Sequence, residues 1–208
     1  MKIILFGAQG SGKGTQAELL AKKFNIPAIS TGVIYRQEIA RKTKLGKIAV
    51  EYLNKGKLAP SNLTNEVMEK RLKKSDCKKG FILDGYPRDL IQAQFLDKIS
   101  KMDYVIEIVL SDKECLKRFF GRQNCICGAV YHLKFNLPKK KGVCNKCGKE
   151  LFIREDEKPE AIKKRLQIYH QETKPLLKEY QKMGILIKIN GNQNIKDVYK
   201  EIISNIKI

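Results

Sequence analysis

A glycine-rich run near the start of the chain has the composition of a phosphate-binding loop. It reads Gly7-Ala8-Gln9-Gly10-Ser11-Gly12-Lys13-Gly14-Thr15, and it lies between an apolar segment and an amphipathic one. Glycines let the backbone curl so that successive N–H groups point at phosphate oxygens. The start of the following helix adds positive potential, and Lys13 adds a full charge. The residues expected to contact nucleotide phosphates are Gly10, Ser11, Gly12, Lys13, Gly14 and Thr15.

Four of the six cysteines lie in one short window. The window reads Cys125-x-Cys127, sixteen residues, then Cys144-x-x-Cys147. In a chain without a secretion signal, such clustering favours a metal site over disulfides, with reduced, hydrogen-bonded thiols as the alternative. The first pair is one residue shorter than the usual Cys-x-x-Cys, so His132 stays open as a substitute for Cys125.

Asp84 ends an apolar run and is followed by a glycine. A carboxylate in this position can hold the water shell of Mg²⁺, a hard cation that keeps several waters. A helix cap or a buried ion pair is the alternative interpretation.

The elements that would position these residues alternate between apolar strand and amphipathic helix. Such alternation predicts an α/β fold with a largely parallel sheet. Strands are predicted at 3–6, 81–84, 104–110 and 185–189, with helices at 13–24, 88–98 and 194–206. Ser111 and Glu114 form a capping box for another helix. Residues 30–59, with two helical patterns, and residues 122–158, with the cysteines, interrupt this rhythm as insertions.

The composition is that of a soluble protein with an excess of positive charge. The 208 residues carry a formal net charge of +20, mostly from lysines spread along the whole chain. Such a charge attracts nucleic acids, anionic membranes and phosphorylated metabolites, and by itself predicts only a lysine-rich solvated surface. No apolar run approaches the ~20 residues that span a bilayer, and the first residues lack the pattern of a secretion signal. We therefore expect a cytoplasmic protein without a membrane partner.

Several motifs, in order along nearly the whole chain, resemble those of the adenylate kinase family. In that family Gly-Thr follows the loop lysine, as Gly14-Thr15 does here. The other matching segments are Ser30-Thr31-Gly32 with Arg36, Gly56-Lys57-Leu58, Phe81-Ile82-Leu83-Asp84-Gly85-Tyr86-Pro87-Arg88 with Gln92, and the arginines Arg118, Arg122, Arg154 and Arg165.

The resemblance implies a P-loop three-layer sandwich with a parallel sheet and two inserted mobile subdomains. Residues 1–29, 60–121 and 159–208 would form the core. Residues 30–59 would form the nucleoside monophosphate-binding insertion, and residues 122–158 a zinc-binding lid. The two insertions would close over the substrates and exclude water from the transfer.

The implied reaction is reversible transfer of a phosphoryl group from ATP to AMP. Such a reaction needs positioning and neutralisation of charge, and arginine suits both tasks because its planar fork bonds phosphate oxygens in pairs. Arg118 and Arg122 would join the loop residues on ATP. The AMP site would comprise Thr31, Arg36, Lys57, Gly85, Arg88, Gln92, Arg154 and Arg165. Lys13, Arg88, Arg118, Arg122, Arg154 and Arg165 would surround the transferring group.

The resemblance also implies two metal ions and a monomeric enzyme. Asp84 would hold Mg²⁺ through water, and a structural Zn²⁺ would bind Cys125, Cys127, Cys144 and Cys147, because zinc favours four thiolates in a tetrahedron. Gln92 would bind the adenine edge of AMP, since an amide offers both a donor and an acceptor.

Three residues depart from the family pattern: Gln9 replaces a proline, Val33 an aspartate and Ser61 an aspartate. Gln9 should loosen the loop, and Ser61 can still cap the following helix. A kinase for another nucleoside monophosphate is the first alternative function. A nucleic-acid-binding module built on the cysteine insertion and the basic surface is the second, although no specific nucleic acid is expected.

Overall fold

A computed structural model describes residues 1–157 and 159–206 of the chain. Lys158 and residues 207–208, which end the predicted lid and core, lie outside the described residues. The strands are β1 Lys2–Phe6, β2 Ala28–Ser30, β3 Phe81–Asp84, β4 Tyr104–Val109, β5 Arg122–Asn124, β6 Val130–His132 and β7 Leu186–Asn190. The α-helices are α1 Lys13–Phe24, α2 Thr31–Ala40, α3 Lys44–Leu53, α4 Ser61–Leu72, α5 Leu90–Ile99, α6 Asp112–Phe120, α7 Pro159–Ile168, α8 Leu176–Lys182 and α9 Ile195–Asn205.

Five parallel strands form the central sheet, in the order β2-β3-β1-β4-β7. Strand β1 lies in the middle, with Leu5 opposite Asp84 of β3 on one side and Ile106 of β4 on the other. The chain thus continues to opposite sides of β1, which creates a crevice at the carboxyl ends of the strands, where α/β proteins bind ligands. The phosphate loop and Asp84 both lie at this edge.

The sheet is covered by helices on both faces, which explains why its strands are almost wholly apolar. Ile4 and Phe6 of β1 point into a core closed by α4, α5 and α8. Ile3 and Leu5 point into the opposite core, closed by α1 and α9. The predicted three-layer α/β fold with a parallel sheet is confirmed.

Both interruptions of the strand–helix rhythm have small cores of their own. Helices α2 and α3 pack around Tyr35, Ala49 and Ala59, and the hydroxyl of Tyr35 bonds the hydroxyl of Thr64 in α4 at 2.7 Å. In the second interruption β5 and β6 form an antiparallel pair, and the cluster there consists of Cys125, Ala129, Tyr131, Cys144 and Leu151.

The structure differs from the sequence predictions at three local points. The three-residue strand β2 was not predicted, because so short a strand leaves no periodic signal. Ser61 is the first residue of α4 rather than its cap, so that prediction was wrong; its hydroxyl instead donates to the Asp89 carboxylate at 2.5 Å. A π-helical turn, Tyr169–Thr173, follows α7. Within the described parts of the chain no helix has the length and apolar character needed to cross a bilayer.

Candidate active site

The loop between β1 and α1 has the backbone of an anion-binding cradle. Gly10 has a φ of +88°, and a Cβ there would lie 2.6 Å from the carbonyl oxygen of Cys115, so both the conformation and the space require glycine. Helix α1 begins at Lys13 without a side-chain cap, which leaves its first N–H groups facing the loop. The buried hydroxyl of Ser11 has no hydrogen-bond partner among the described residues. Unsatisfied donors therefore converge on this loop.

Lys13 curls back over the loop. Its Nζ donates to the carbonyl oxygens of Gly7 at 2.6 Å and Ala8 at 2.9 Å. Burial lowers the pKa of Lys13 to about 8; the positive charges of Arg88 and Arg122 act in the same direction, while Asp84 opposes them. A cation that is poorly solvated in this way gains strongly from an anionic partner.

Asp84 stands at the end of β3, facing the first turn of α1. A Cβ on Gly14 would lie 3.7 Å from its Oδ2, so carboxylate and loop are close enough to share a metal ion's hydration shell. The next residue, Gly85, accepts two hydrogen bonds at its carbonyl oxygen. Thr31 Oγ1 and Arg88 Nε each donate to it at 2.8 Å.

Arg88 is fixed at its main chain as well as its side chain. Its backbone N–H donates to Oε1 of Gln92 at 2.9 Å, and its carbonyl oxygen accepts from Thr173 Oγ1 at 2.7 Å. Burial lowers the pKa of Arg88, and Arg165 reinforces the effect. Asp89 caps α5 by accepting from the N–H of Gln92, which holds the turn after Arg88.

Gln92 is buried, and its amide oxygen is already engaged with the backbone of Arg88. The sequence predicts that both ends of this amide bind the adenine edge of AMP. In the structure one lone pair of the oxygen serves the protein, and the amide nitrogen has no acceptor among the described residues, so the nitrogen can donate to a base.

Arg36, Arg122, Arg154 and Arg165 come together from three separate parts of the chain. Burial lowers the pKa of Arg36, and the positive charges of Arg122 and Arg165 act in the same direction. Burial also lowers the pKa of Arg154, to about 10, with repulsion from Arg36 and Arg122. The predicted phosphate-binding arginines Arg36, Arg88, Arg122, Arg154 and Arg165 are thus electrostatic neighbours, connected to Lys13 through Arg88 and Arg122.

Two buried carboxylates, which the sequence motifs did not predict, lie between these arginines. Asp156 bonds Arg165 at 2.5 Å, and Oε1 of Glu157 lies 3.6 Å from Arg122 Nε and 3.4 Å from Arg154 NH1. Burial disfavours the charge on Asp156, but Arg165, Arg36 and Arg154 outweigh it and hold its pKa below the usual value. The acidic run directly after Arg154 was the available signal, because carboxylates beside phosphate-binding arginines are expected to serve as their counter-ions.

Arg118 lies at the edge of this cluster. Its Nε is 3.6 Å from Glu114, and its guanidinium lies 5.7 Å from the centre of the Phe135 ring. His132 packs against the same ring at 4.6 Å. Arg118 and Phe135 together present flat surfaces, of the kind on which a purine stacks.

The remaining predicted residues lie further from the charge cluster. Lys57 is exposed beside the buried Gly56, where a Cβ would lie 2.5 Å from the carbonyl oxygen of Ala161 in α7. The first insertion is therefore packed against α7 at this point. Val33 is 43% exposed, and the described residues give no structural explanation for its replacement of the family's aspartate.

The four clustered cysteines meet at one point. Their sulfur atoms all lie within 4.8 Å of one another, with Cys125 to Cys147 at 3.4 Å and Cys127 to Cys144 at 3.6 Å. A tetrahedron with metal–sulfur bonds of ~2.3 Å has sulfur–sulfur edges of ~3.8 Å, so the arrangement fits a metal ion. His132 does not belong to the group, because the ligand atoms that converge are the four cysteine sulfurs, while its Nδ1 accepts from the N–H groups of Lys134 and Phe135. Cys125 rather than His132 therefore completes the set.

Tight turns hold both cysteine pairs in place. The N–H of Gly128 donates to the carbonyl oxygen of Cys125 at 3.0 Å, and the N–H of Gly148 donates to that of Cys144 at 2.9 Å. All four positions around the ion would be taken by protein sulfur, which is the pattern of a structural site.

Comparisons with known proteins agree with this geometry. The sequence profile of the adenylate kinase family matches residues 5–185. The chain is 49% identical over 208 residues to an adenylate kinase of Caldanaerobacter subterraneus, with 97% of this chain and 94% of the relative covered. It is 47% identical to that of Caldicellulosiruptor bescii with both chains fully covered, and 46% identical to that of Methanosarcina barkeri with 97% and 96% covered.

The geometry and the comparisons agree: the chain has a nucleotide-binding loop, a cluster of arginines beside it and similarity to these relatives over nearly its full length. The chain belongs to the adenylate kinase family, whose members transfer a phosphoryl group between ATP and AMP.

Proposed function

We propose that the chain seats the phosphates of ATP on the loop residues Gly10–Thr15 and the phosphate of AMP against Arg36 and Arg88. One observation carries this proposal. Among the side chains that the structure describes, six cations, namely Lys13, Arg36, Arg88, Arg122, Arg154 and Arg165, share a crevice with three carboxylates, Asp84, Asp156 and Glu157. The excess of three positive charges is what substrate phosphates would offset.

The arrangement suits phosphoryl transfer because little covalent chemistry is required of the protein. Repulsion between the ATP and AMP phosphates is the main obstacle, and fixed cations around the reacting oxygens reduce it. Lys13 would contact the donor phosphates, and Arg122, Arg154 and Arg165 would surround the group in transit. Asp156 and Glu157 would hold these arginines apart until the substrates arrive.

Adenylate kinases use Mg²⁺ together with the nucleotide, and Asp84 would hold its hydrated ion. A bound Mg²⁺ neutralises phosphate charge. Arg118 would approach ATP from the side of Phe135, and the amide nitrogen of Gln92, near Thr31 and Gly85, would bind the adenine of AMP. Lys57, which is exposed, would reach the AMP site only through its long side chain.

The domain division and the zinc ion belong to the same proposal. Residues 30–59 and 122–158 each have a small hydrophobic cluster distinct from the two cores of the sheet, which supports their movement as separate units. Four converging thiolates support Zn²⁺ as the ion. It would stabilise a lid too small to fold on its own hydrophobic core. The monomeric state and the cytoplasmic location stay predictions.

A coupled assay for ADP formation from ATP, Mg²⁺ and each nucleoside monophosphate tests the proposal. We expect AMP to be the preferred acceptor. Lys13→Ala should lower kcat by about 10²- to 10³-fold, the effect of removing one donor to a developing charge, whereas the exposed Lys22→Ala on the same helix should have wild-type rates. Wild-type activity in Lys13→Ala, or faster turnover of GMP, CMP or UMP, would refute the proposed site or its specificity.

A further inference from the structure

The side chain of Thr173 connects two distant parts of the chain at the candidate active site. Its hydroxyl donates a 2.7 Å hydrogen bond to the carbonyl oxygen of Arg88, which is 85 residues away in sequence. Thr173 is only 6% exposed. A short bond in buried surroundings constrains both partners more than the same bond would at the surface.

Thr173 is the last residue of the π-helical turn. In an α-helix a threonine hydroxyl commonly bonds the carbonyl oxygen four residues earlier. Here that group belongs to Tyr169, and it accepts from the N–H of Lys174 at 2.8 Å, across five residues. The hydroxyl of Thr173 is directed to Arg88 instead.

The same turn changes the direction of Thr173 relative to Arg165. An uninterrupted α-helix rotates by about 100° per residue, so a residue eight positions after Arg165 would point about 80° away from it. The wider π-type turn rotates less per residue and reduces this angle. In the structure Arg165 acts on the charge of Arg88 while Thr173 bonds its backbone.

Arg88 has three hydrogen bonds that fix its position. Two of them, to Gly85 through Nε and to Gln92 through the backbone N–H, come from its own loop and the following helix. The third comes from Thr173, beyond the lid in sequence. Of these three bonds, only the third ties the Arg88 loop to the segment that carries Arg165.

We propose that Thr173 is a positioning residue for the acceptor phosphate. By holding the carbonyl oxygen of Arg88, it sets where the guanidinium meets AMP, relative to Arg165. This inference rests on the role proposed above for Arg88. It predicts a defect confined to AMP, because the ATP loop has no hydrogen bond to Thr173 among the described residues.

Steady-state kinetics of Thr173→Val and Thr173→Ser test the proposal. Valine keeps the shape of threonine and removes the hydroxyl. KM for AMP should rise about fivefold, the equivalent of a net hydrogen bond of ~1 kcal/mol, with KM for ATP unchanged. Thr173→Ser should restore KM for AMP, since it keeps the donor. Should the valine variant fold poorly, Thr173→Ala compared with Thr173→Ser gives the same test.

Each outcome decides the question. A lowered Tm with unchanged KM for AMP, equal changes in both KM values, or failure of serine to restore AMP binding would overturn the proposal, because each indicates a structural role only. Arg88→Ala serves as the second arm. If it leaves KM for AMP unchanged, the proposed AMP site is wrong; if it raises KM and Thr173→Val does not, only the role of Thr173 fails.

Discussion

Substituting Gly85 by alanine should separate the backbone geometry of the site from its chemistry. Gly85 has a φ of +77°, and a Cβ there would lie 2.5 Å from NH2 of Arg88. Its carbonyl oxygen also accepts the bonds from Thr31 and Arg88 described above. The substitution therefore imposes a strained backbone and also displaces a guanidinium that we assign to the AMP phosphate.

The two effects have different magnitudes and different readouts. A residue with a Cβ in the left-handed region costs about 1–2 kcal/mol, which lowers Tm by roughly 2–8 °C for a chain of this size. Loss of a hydrogen bond from a charged group costs about 1.5–3 kcal/mol, and that corresponds to a rise in KM for AMP of about 10- to 150-fold.

Gly184→Ala is the matched control. Gly184 has a φ of +71°, and a Cβ there would meet no heavy atom of the described residues within 4 Å. It lies just before β7, at the edge of the sheet opposite the active site. We expect the same loss of Tm as for Gly85→Ala, measured by thermal unfolding, but wild-type kinetics.

Two results would refute the reasoning. If Gly85→Ala loses stability like the control but keeps its KM for AMP, Arg88 does not bind the acceptor in the position described. If Gly184→Ala raises KM for AMP to the same extent, the kinetic defect reflects general destabilisation rather than displacement of Arg88.

The pKa of Lys13 and the cysteine cluster give two further predictions. Because burial lowers the pKa of Lys13 to about 8 from 10.5, the folded free enzyme holds fewer protons than the unfolded chain between these values, so this group's contribution to stability rises with pH there. Binding of MgATP should instead weaken as the pH passes 8, which titrations of the affinity from pH 7 to 10 would measure. If the affinity of the wild-type chain depends on pH as little as that of Lys13→Gln, the prediction is contradicted. Metal analysis should find one zinc per chain. Cys144→Ser should lose the zinc and several degrees of Tm, whereas Cys77→Ser should keep the zinc. Equal zinc content in both variants would disprove the site.

Much of the site follows from local sequence. The loop from Gly7 to Thr15 is contiguous, so its residue types and its position between strand and helix predict its function directly. The same holds for Asp84 at a strand end and for the two cysteine pairs, whose turns are local. Alternation of strand and helix predicts the parallel sheet, and a parallel sheet brings these strand ends to one edge.

The tertiary structure decided what depends on contacts between distant residues. Spacing favoured Cys125 but left His132 open as a substitute, and only the meeting of four sulfur atoms resolved the choice. Asp156 and Glu157 belong to an acidic run whose role the sequence did not reveal, and in space they are buried counter-ions of arginines. The bond from Thr173 to Arg88 starts from a π-helical turn that no periodicity predicts. Sequence patterns report local conformation, whereas hydrogen bonds and ion pairs across the core depend on how the elements pack.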